Sequence, residues 1–294
     1  MEKLNDWIKA GKMASEAREY GRGLIKEGES LLEVTEKIEA KIRALGGNFA
    51  FPVQISRNHI AAHYCSDSSD KTIFENGDMA KLDLGIEING CISDTACTVY
   101  LGDDPKMKEL VQASKDALDA ALKIIRNGVS IGEIGAQIQN AITKYGFSPI
   151  KNLSGHGLAD FDIHSEPSIP NFATSSNNKL FEQVVAIEPF ATTGAGMVVE
   201  SPNASVFSII ERKPIRDIIS RKVLSEIDEY NGLPFAKRWL EQKFPSAQVN
   251  FALRQLINAE IIGEYPPLSE VSRGMVSQAE HTVIVSDKVI VTTL

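Results

Sequence analysis

Leu82, Leu84, Ile86 and Ile88 alternate with other residues at period two and run straight into Asn89-Gly90, so the pattern predicts a β-hairpin with a two-residue turn. The turn sets the register: Ile88 faces Cys91, Ile86 faces Ser93, Gly85 faces Asp94 and Leu84 faces Thr95. Asp83 shares a face with Gly85, which makes Asp94 its diagonal neighbour at roughly 5 to 8 Å. Aspartate is a poor strand former, and two like charges so placed repel unless a cation or a proton intervenes. The plain alternative is a half-exposed sheet with both carboxylates in water.

A helical pattern recurs at an offset of 100 residues, with IKEGESLLEVTEKIEAKIRALG at 25–46 lying over IRNGVSIGEIGAQIQNAITKYG at 125–146. Seven positions coincide without a gap: Ile25/Ile125, Gly28/Gly128, Ser30/Ser130, Glu33/Glu133, Ile38/Ile138, Ile42/Ile142 and Gly46/Gly146. Each copy reads as a turn, a capping serine with glutamate three residues on, an amphipathic helix and a glycine stop. The apolar strand MAKLDLG (79–85) has its counterpart in VVAIEPF (184–190), so Asp83 and Glu188 hold matching places. This predicts a duplicated α+β fold with a pseudo-twofold internal repeat and a site between the halves.

The second half is interrupted. Its return strand, MVSQAEHTVIV (275–285), follows a segment that reads as three helices with a short wing: RDIISRKVLSEIDEYNG, LPFAKRWLEQKF and SAQVNFALRQLINAEII. The expected organisation is therefore a body at 1–199 and 266–294 with a helical, winged-helix-like insertion at 200–265. Winged helices often bind DNA, but between Glu211 and Glu264 nine basic residues stand against eight acidic ones, which is no footprint for phosphate.

Composition narrows the class. The chain has 294 residues, 43% hydrophobic and 24% charged, with a net charge of -8, consistent with a globular cytoplasmic enzyme and against a general nucleic-acid binder. The N-terminal MEKLNDWIKAGKMASEAREYG mixes charged and apolar residues at helical spacing, with no signal-peptide core, and no apolar run approaches membrane-spanning length. Cys65, Cys91 and Cys97 have no CxxC spacing and read as small buried hydrophobes.

Among five histidines, His156 lies in NLSGHGL, where Gly155 and Gly157 are expected to leave room beside the imidazole. Glu188 and Glu280 each lie in an otherwise apolar strand, where an ionised carboxylate is costly without a partner. Asp83, Asp94, His156, Glu188 and Glu280 together make four carboxylates and one imidazole, a set that one cation centre would reconcile. Oxygen-rich ligation with one nitrogen and no thiolate suits Mn, Fe(II), Co or Zn rather than a structural zinc. Four negative charges suggest two divalent ions about 3 to 4 Å apart. His281 alternates away from Glu280, and His59 reads as a surface or turn residue.

The stretches GGNFAFPV, IAAHY, LDLGIEINGCISDTA, NLSGHGL, HSEPSIPN, AIEPFATTGAG and QAEHTVIV, with the insertion, resemble the type 2 methionine aminopeptidases of the pita-bread metallopeptidase family, in an archaeal-like short form. The resemblance runs from about Lys3 to Leu294. It implies a pita-bread fold and removal of the initiator methionine from nascent proteins. It also implies that Asp83, Asp94 and Glu280 hold one metal and Asp94, Glu280, His156 and Glu188 the other. By the same likeness His63 and His164 would flank the scissile amide, Glu188 would accept a proton, and Phe51 and Pro52 would belong to the methionine pocket. Glu182-Gln183 depart from a Gly-Asp common in the family, which bears on a local turn. Alternatives are an Xaa-Pro-type aminopeptidase or dipeptidase and a non-catalytic binding module. The complete ligand set, the insertion and the lack of a large N-terminal domain stand against them. The expected partner is the N-terminal Met of nascent peptides, acted on by a monomer, with neither DNA nor membrane as a partner. The ribosome is a further candidate partner, unsupported by any extended charged N-terminal region.

Overall fold

The structure, a computed structural model, describes residues 3–294. The first half runs α1 (Leu4–Leu24), α2 (Leu31–Leu45), β1 (Asn48–Arg57), β2 (Ile60–Ala62) and the hairpin β3 (Met79–Ile88) and β4 (Cys91–Tyr100). The second runs α3 (Pro105–Ile124), α4 (Ile131–Lys144), β5 (Ser148–Pro149), β6 (Ser154–Ala159), β7 (Asp162–Pro170), β8 (Gln183–Ile187) and β9 (Phe190–Thr192). Among the described residues, no helix is long and apolar enough to cross a membrane.

The hairpin has the expected register throughout, with Ile88 opposite Cys91, Gly85 opposite Asp94 and Asp83 opposite Ala96. The internal repeat extends beyond its helices. Ser30 caps α2 by accepting from the Glu33 N–H, and the Ser130 N–H donates to the Glu133 carboxylate at the start of α4. Gly28 and Gly128 take positive φ and donate to the carbonyls of Phe74 and Leu180, while Leu31 and Ile131 donate to those of Thr72 and Asn178. Each half has its own apolar core, one around Ile38, Val53 and Leu82, the other around Ile134, Ile138 and Val185. A further cluster joins the halves through Phe51, Ile92, Leu158 and Ala186.

After β10 (Val198–Glu200) the chain leaves the body through β11 (Val206–Ile209), α5 (Ile218–Ile227), β12 (Phe235–Ala236), α6 (Lys237–Glu241), α7 (Ser246–Asn258) and β13 (Ile262–Tyr265). It returns through β14 (Leu268–Glu270), which pairs with β10, so departure and return are stitched together at the neck. The segment between has a three-stranded sheet and its own core around Val223, Phe235, Leu240 and Leu256. The middle helix expected over 233–244 shrinks to α6. Pro234 cannot sit inside a helix, and Phe235–Ala236 pair instead with β11.

The strand expected over 275–285 is broken into β15 (Val276–Gln278) and β16 (His281–Val285), and β17 (Ile290–Val291) follows near the end of the chain. The break falls at Ala279-Glu280, because β15 pairs with β9 and β16 with β8. A matching break at Glu188-Pro189 separates β8 from β9, where proline has no N–H to continue the ladder. Ala279 donates to the Pro189 carbonyl across the two breaks, and Glu280 donates its N–H to Ala96 on β4. Both glutamates are thus released from strand alternation at the same level.

The glycines around His156 serve a different purpose from the one their position suggests. A Cβ on Gly157 would lie 2.1 Å from the Glu166 carbonyl oxygen, and one on Gly155 would lie 2.4 Å from that of Ala186. They admit the flanking strand backbones, not the imidazole. Gly157→Ala should therefore cost about 1–3 kcal/mol in urea unfolding. Gly23→Ala on α1 meets nothing within 4 Å and should be neutral or stabilising by up to about 1 kcal/mol.

Candidate metal centre

Five side chains from separate parts of the chain converge beneath one cavity of about 350 Å³. The hairpin supplies Asp83 and Asp94, β6 supplies His156, and the two strand breaks supply Glu188 and Glu280. Asp94, His156 and Glu280 lie tightest, each offering a ligand atom within 4.8 Å of the others. His156 Nε2 stands 3.7 Å from Asp94 Oδ2 and 3.7 Å from Glu188 Oε1. Thr282 holds the Asp94 backbone by accepting from its N–H and donating to its carbonyl, both at 2.7 Å.

Charges this close in a dry site disfavour ionisation. Burial pushes the Asp83 carboxyl up to about 7, and burial first, then repulsion from Asp83, pushes Asp94 well above its usual range. Glu188 and Glu280 rise for the same reasons, burial leading and the two aspartates following. Burial, with His164 as the lesser cause, pulls His156 down to about 3, so its ring is neutral. His156 Nδ1 lies 3.2 Å from the Gly157 carbonyl, which favours the proton on that nitrogen and leaves the Nε2 lone pair facing acidic oxygens.

The polar inventory of this pocket fits a cation. Buried oxygens of Asp83, Asp94 and Glu280 have no hydrogen-bond partner, and lone pairs of oxygen and nitrogen face one another. An unpaired buried carboxylate oxygen is expensive, and divalent ions satisfy several at once. Oxygen donors with one imidazole are a chemically suitable set.

Of the other expected residues, His63 and His164 line the cavity, and Phe51 forms part of its wall over Gly85, whose absent Cβ would sit 2.3 Å from the Phe51 ring. Pro52 is buried in β1 and does not line the cavity, its neighbour Phe51 having taken the inward face. His59 sits in a turn and His281 bonds Thr293, both outside the cavity as expected. His63 has φ 66°, a strained value for a residue with a side chain, and its N–H is held by Gln54 Oε1 at 3.0 Å. Burial pulls the His63 ring down to about 4, leaving it neutral.

Two contributions escaped the sequence reading. Gln278 is buried and points its amide at Asp83 Oδ2, 3.2 Å away, and Glu188 Oε2, 3.5 Å away. Its place two residues before Glu280 in an apolar strand was the available signal. Tyr265, Val206 and Pro234 come from the insertion, and the Tyr265 ring centroid lies 5.8 Å from that of His63 and 6.1 Å from that of His164. Nothing local in the insertion marks these three as facing a site in the body.

The description Metallopeptidase family M24 matches residues 7–221. The methionine aminopeptidase of Pyrococcus horikoshii is 46% identical over 290 residues, spanning 97% of this chain and 98% of that protein. Among solved structures, the methionine aminopeptidase of Thermotoga maritima superposes with a TM-score of 0.72 at 21% identity, over 99% of this chain and 98% of that one. A thermophilic Arx1 gives a TM-score of 0.86 at 16% identity, over 98% and 90%, and these two structural likenesses bear on the fold alone.

The carboxyl pKa values, raised in the fold, set a pH dependence for protein stripped of metal. A raised carboxyl binds its proton more tightly when folded, so its contribution is full below the unfolded value near 4 and is lost as pH rises through the folded value. His63 and His156 act oppositely, but their effect is complete above about 6.5. Metal-free protein should therefore melt at progressively lower temperature from pH 6.5 to 8, and added Mn²⁺ should abolish that slope; scanning calorimetry checks both.

Proposed function

This chain belongs to metallopeptidase family M24, and from that membership and the geometry of its site we infer that it is a methionine aminopeptidase, hydrolysing the first peptide bond of polypeptides that begin with methionine. The observation that carries the reading is the convergence of four carboxylates and an imidazole under a cavity with an apolar side. We assign divalent metal binding to Asp83, Asp94, His156, Glu188 and Glu280, with two ions, as the count of four carboxylates favours. When bound, such ions supply Lewis acidity toward water and the scissile carbonyl.

The chain's own residues do the rest. Ala62, Leu153, Ile163 and Phe190 line the cavity together with Phe51 and suit an unbranched thioether side chain. The free α-amine of a substrate would be held at the metal centre, which selects a chain end over an internal bond. Glu188 Oε, facing the cavity and held by Gln278, accepts a proton from the attacking water. His63, neutral at physiological pH, donates a hydrogen bond to the developing oxyanion or to the departing amine without adding charge to a site that must hold cations. His164, an exposed residue that also lines the cavity, does the same in this reading. A cytoplasmic location and action on nascent chains are part of the same reading.

Purified protein supplied with Mn²⁺, Co²⁺ or Fe²⁺ should release methionine from Met-Ala-Ser and leave Xaa-Pro peptides intact; the reverse preference would replace this reading with the Xaa-Pro one. His63→Ala should lower turnover by roughly 10²-fold with the metal content by elemental analysis unchanged. An unaltered turnover would remove His63 from the chemistry.

A further inference from the structure

One buried ion pair lies outside the metal centre and is used by none of the chemistry above. Arg238, at the start of α6 in the insertion, and Glu39, on α2 of the body, are each 2% exposed. Arg238 Nη1 donates to Glu39 Oε2 at 2.8 Å and Nη2 donates to Oε1, while Trp239 Nε1 reaches the same carboxylate at 3.1 Å. Arg238 Nε donates in turn to the Ser66 carbonyl at 3.1 Å. Every donor of this fork except one N–H per terminal nitrogen is thereby directed, across two separate elements of the body.

A pair of this kind is a poor adhesive. Desolvating two charges costs about as much as their attraction returns, and well-packed apolar groups would hold the insertion at least as firmly. What the fork provides is direction: a bidentate guanidinium-carboxylate pair has one geometry, whereas apolar surfaces can slide. The question is what needs that direction.

Two routes lead from Arg238 to the cavity. Ala236, two residues earlier, pairs with Val206, and Val206 pairs on its other side with Tyr265, so one row of the insertion sheet carries two cavity-lining residues. Along the second route, Ser66 lies three residues after His63, and Ser205 of the insertion donates to the adjacent Cys65 carbonyl. His63 itself occupies a strained left-handed conformation that its surroundings must impose.

We propose that Glu39 and Arg238 are positioning residues for substrate selection: their fixed pairing sets the distance between the insertion wall at Val206 and Tyr265 and the histidine at 63, and so the width of the cavity, lined also by Phe51, Ala62 and Phe190, that accepts the first side chain. This rests on the aminopeptidase reading and adds to it a determinant remote from the metal ligands.

The test replaces the pair by apolar groups, Glu39→Leu with Arg238→Met, in the full chain loaded with Mn²⁺. Mn²⁺ affinity by calorimetry should stay that of the unaltered protein. KM for Met-Ala-Ser should rise roughly ten-fold with kcat changed less, and the preference for Met-Ala-Ser over Leu-Ala-Ser should fall by a similar factor, as expected when a side-chain pocket loosens. Hydrogen exchange should quicken at 63–66 and 262–265 and stay unchanged in the β3–β4 hairpin. Arg238→Lys, which keeps the charge but loses the fork, should move all three readouts the same way by less. It decides the matter if the double variant does not fold. Unaltered KM, selectivity and exchange in a folded variant overturn the proposal, whatever its melting temperature, because a merely structural pair would alter stability alone. If the unaltered protein fails to cleave Met-Ala-Ser, the activity reading falls, and exchange at the two segments still judges the clamp.

Discussion

Four acidic side chains share a pocket too dry to let all of them ionise alone, and that concentration of charge governs how the surrounding elements are built. Repulsion among Asp83, Asp94, Glu188 and Glu280 would drive apart strands held only by local contacts. The framework resists it with structure that cannot easily yield. Asp83 and Asp94 are locked by ten consecutive register pairs of one hairpin, and Thr282 grips the Asp94 backbone from both sides. Glu188 and Glu280 are set at two strand breaks that face each other, where pairing switches between neighbouring strands and the side chains are free to turn inward. Divalent cations held by these residues, as proposed above, would convert a source of instability into the cohesion of the site.

The duplicated architecture explains why such a site can exist at all. Each half has its own capped helix and its own apolar core, so neither depends on the centre for most of its burial. The halves meet at a seam where Phe51, Ile92, Leu158 and Ala186 pack across. The insertion adds a third wall. Its contribution is small in number, with Val206, Pro234 and Tyr265 reaching the cavity, but Tyr265 stands beside both histidines, and the segment is tied back by directional contacts at Ser66, Cys65 and Glu39.

Much of this was legible because the governing rules are local or nearly so. The Asn89-Gly90 turn determines a hairpin register without reference to anything distant, and Ser30 and Ser130, each with a glutamate three residues on, announce helices that begin at the next residue. The candidate set was legible for a different reason: a carboxylate in an apolar strand is costly enough to demand an explanation, and four such residues with His156 meet under one cavity. Where local rules misled, a partner strand intervened. Residues 275–285 have the alternation of one strand yet form two, and Phe235–Ala236 lie in a helical-looking stretch yet pair with β11. The glycines beside His156 make room not for the imidazole but for the carbonyls of Glu166 and Ala186, which belong to neighbouring strands.

By itself, then, the sequence determined the repeat, the hairpin, the helices and the acidic constellation, since turn chemistry, capping and burial cost act over a few residues. Only the tertiary structure decided that Gln278 bridges Asp83 and Glu188, that Phe51 rather than Pro52 faces the cavity, and that Tyr265 crosses from the insertion to reach it. These depend on how separate elements are oriented, and orientation is set by packing and hydrogen bonds between residues as far apart as Glu39 and Arg238, a relation that no window along the chain contains.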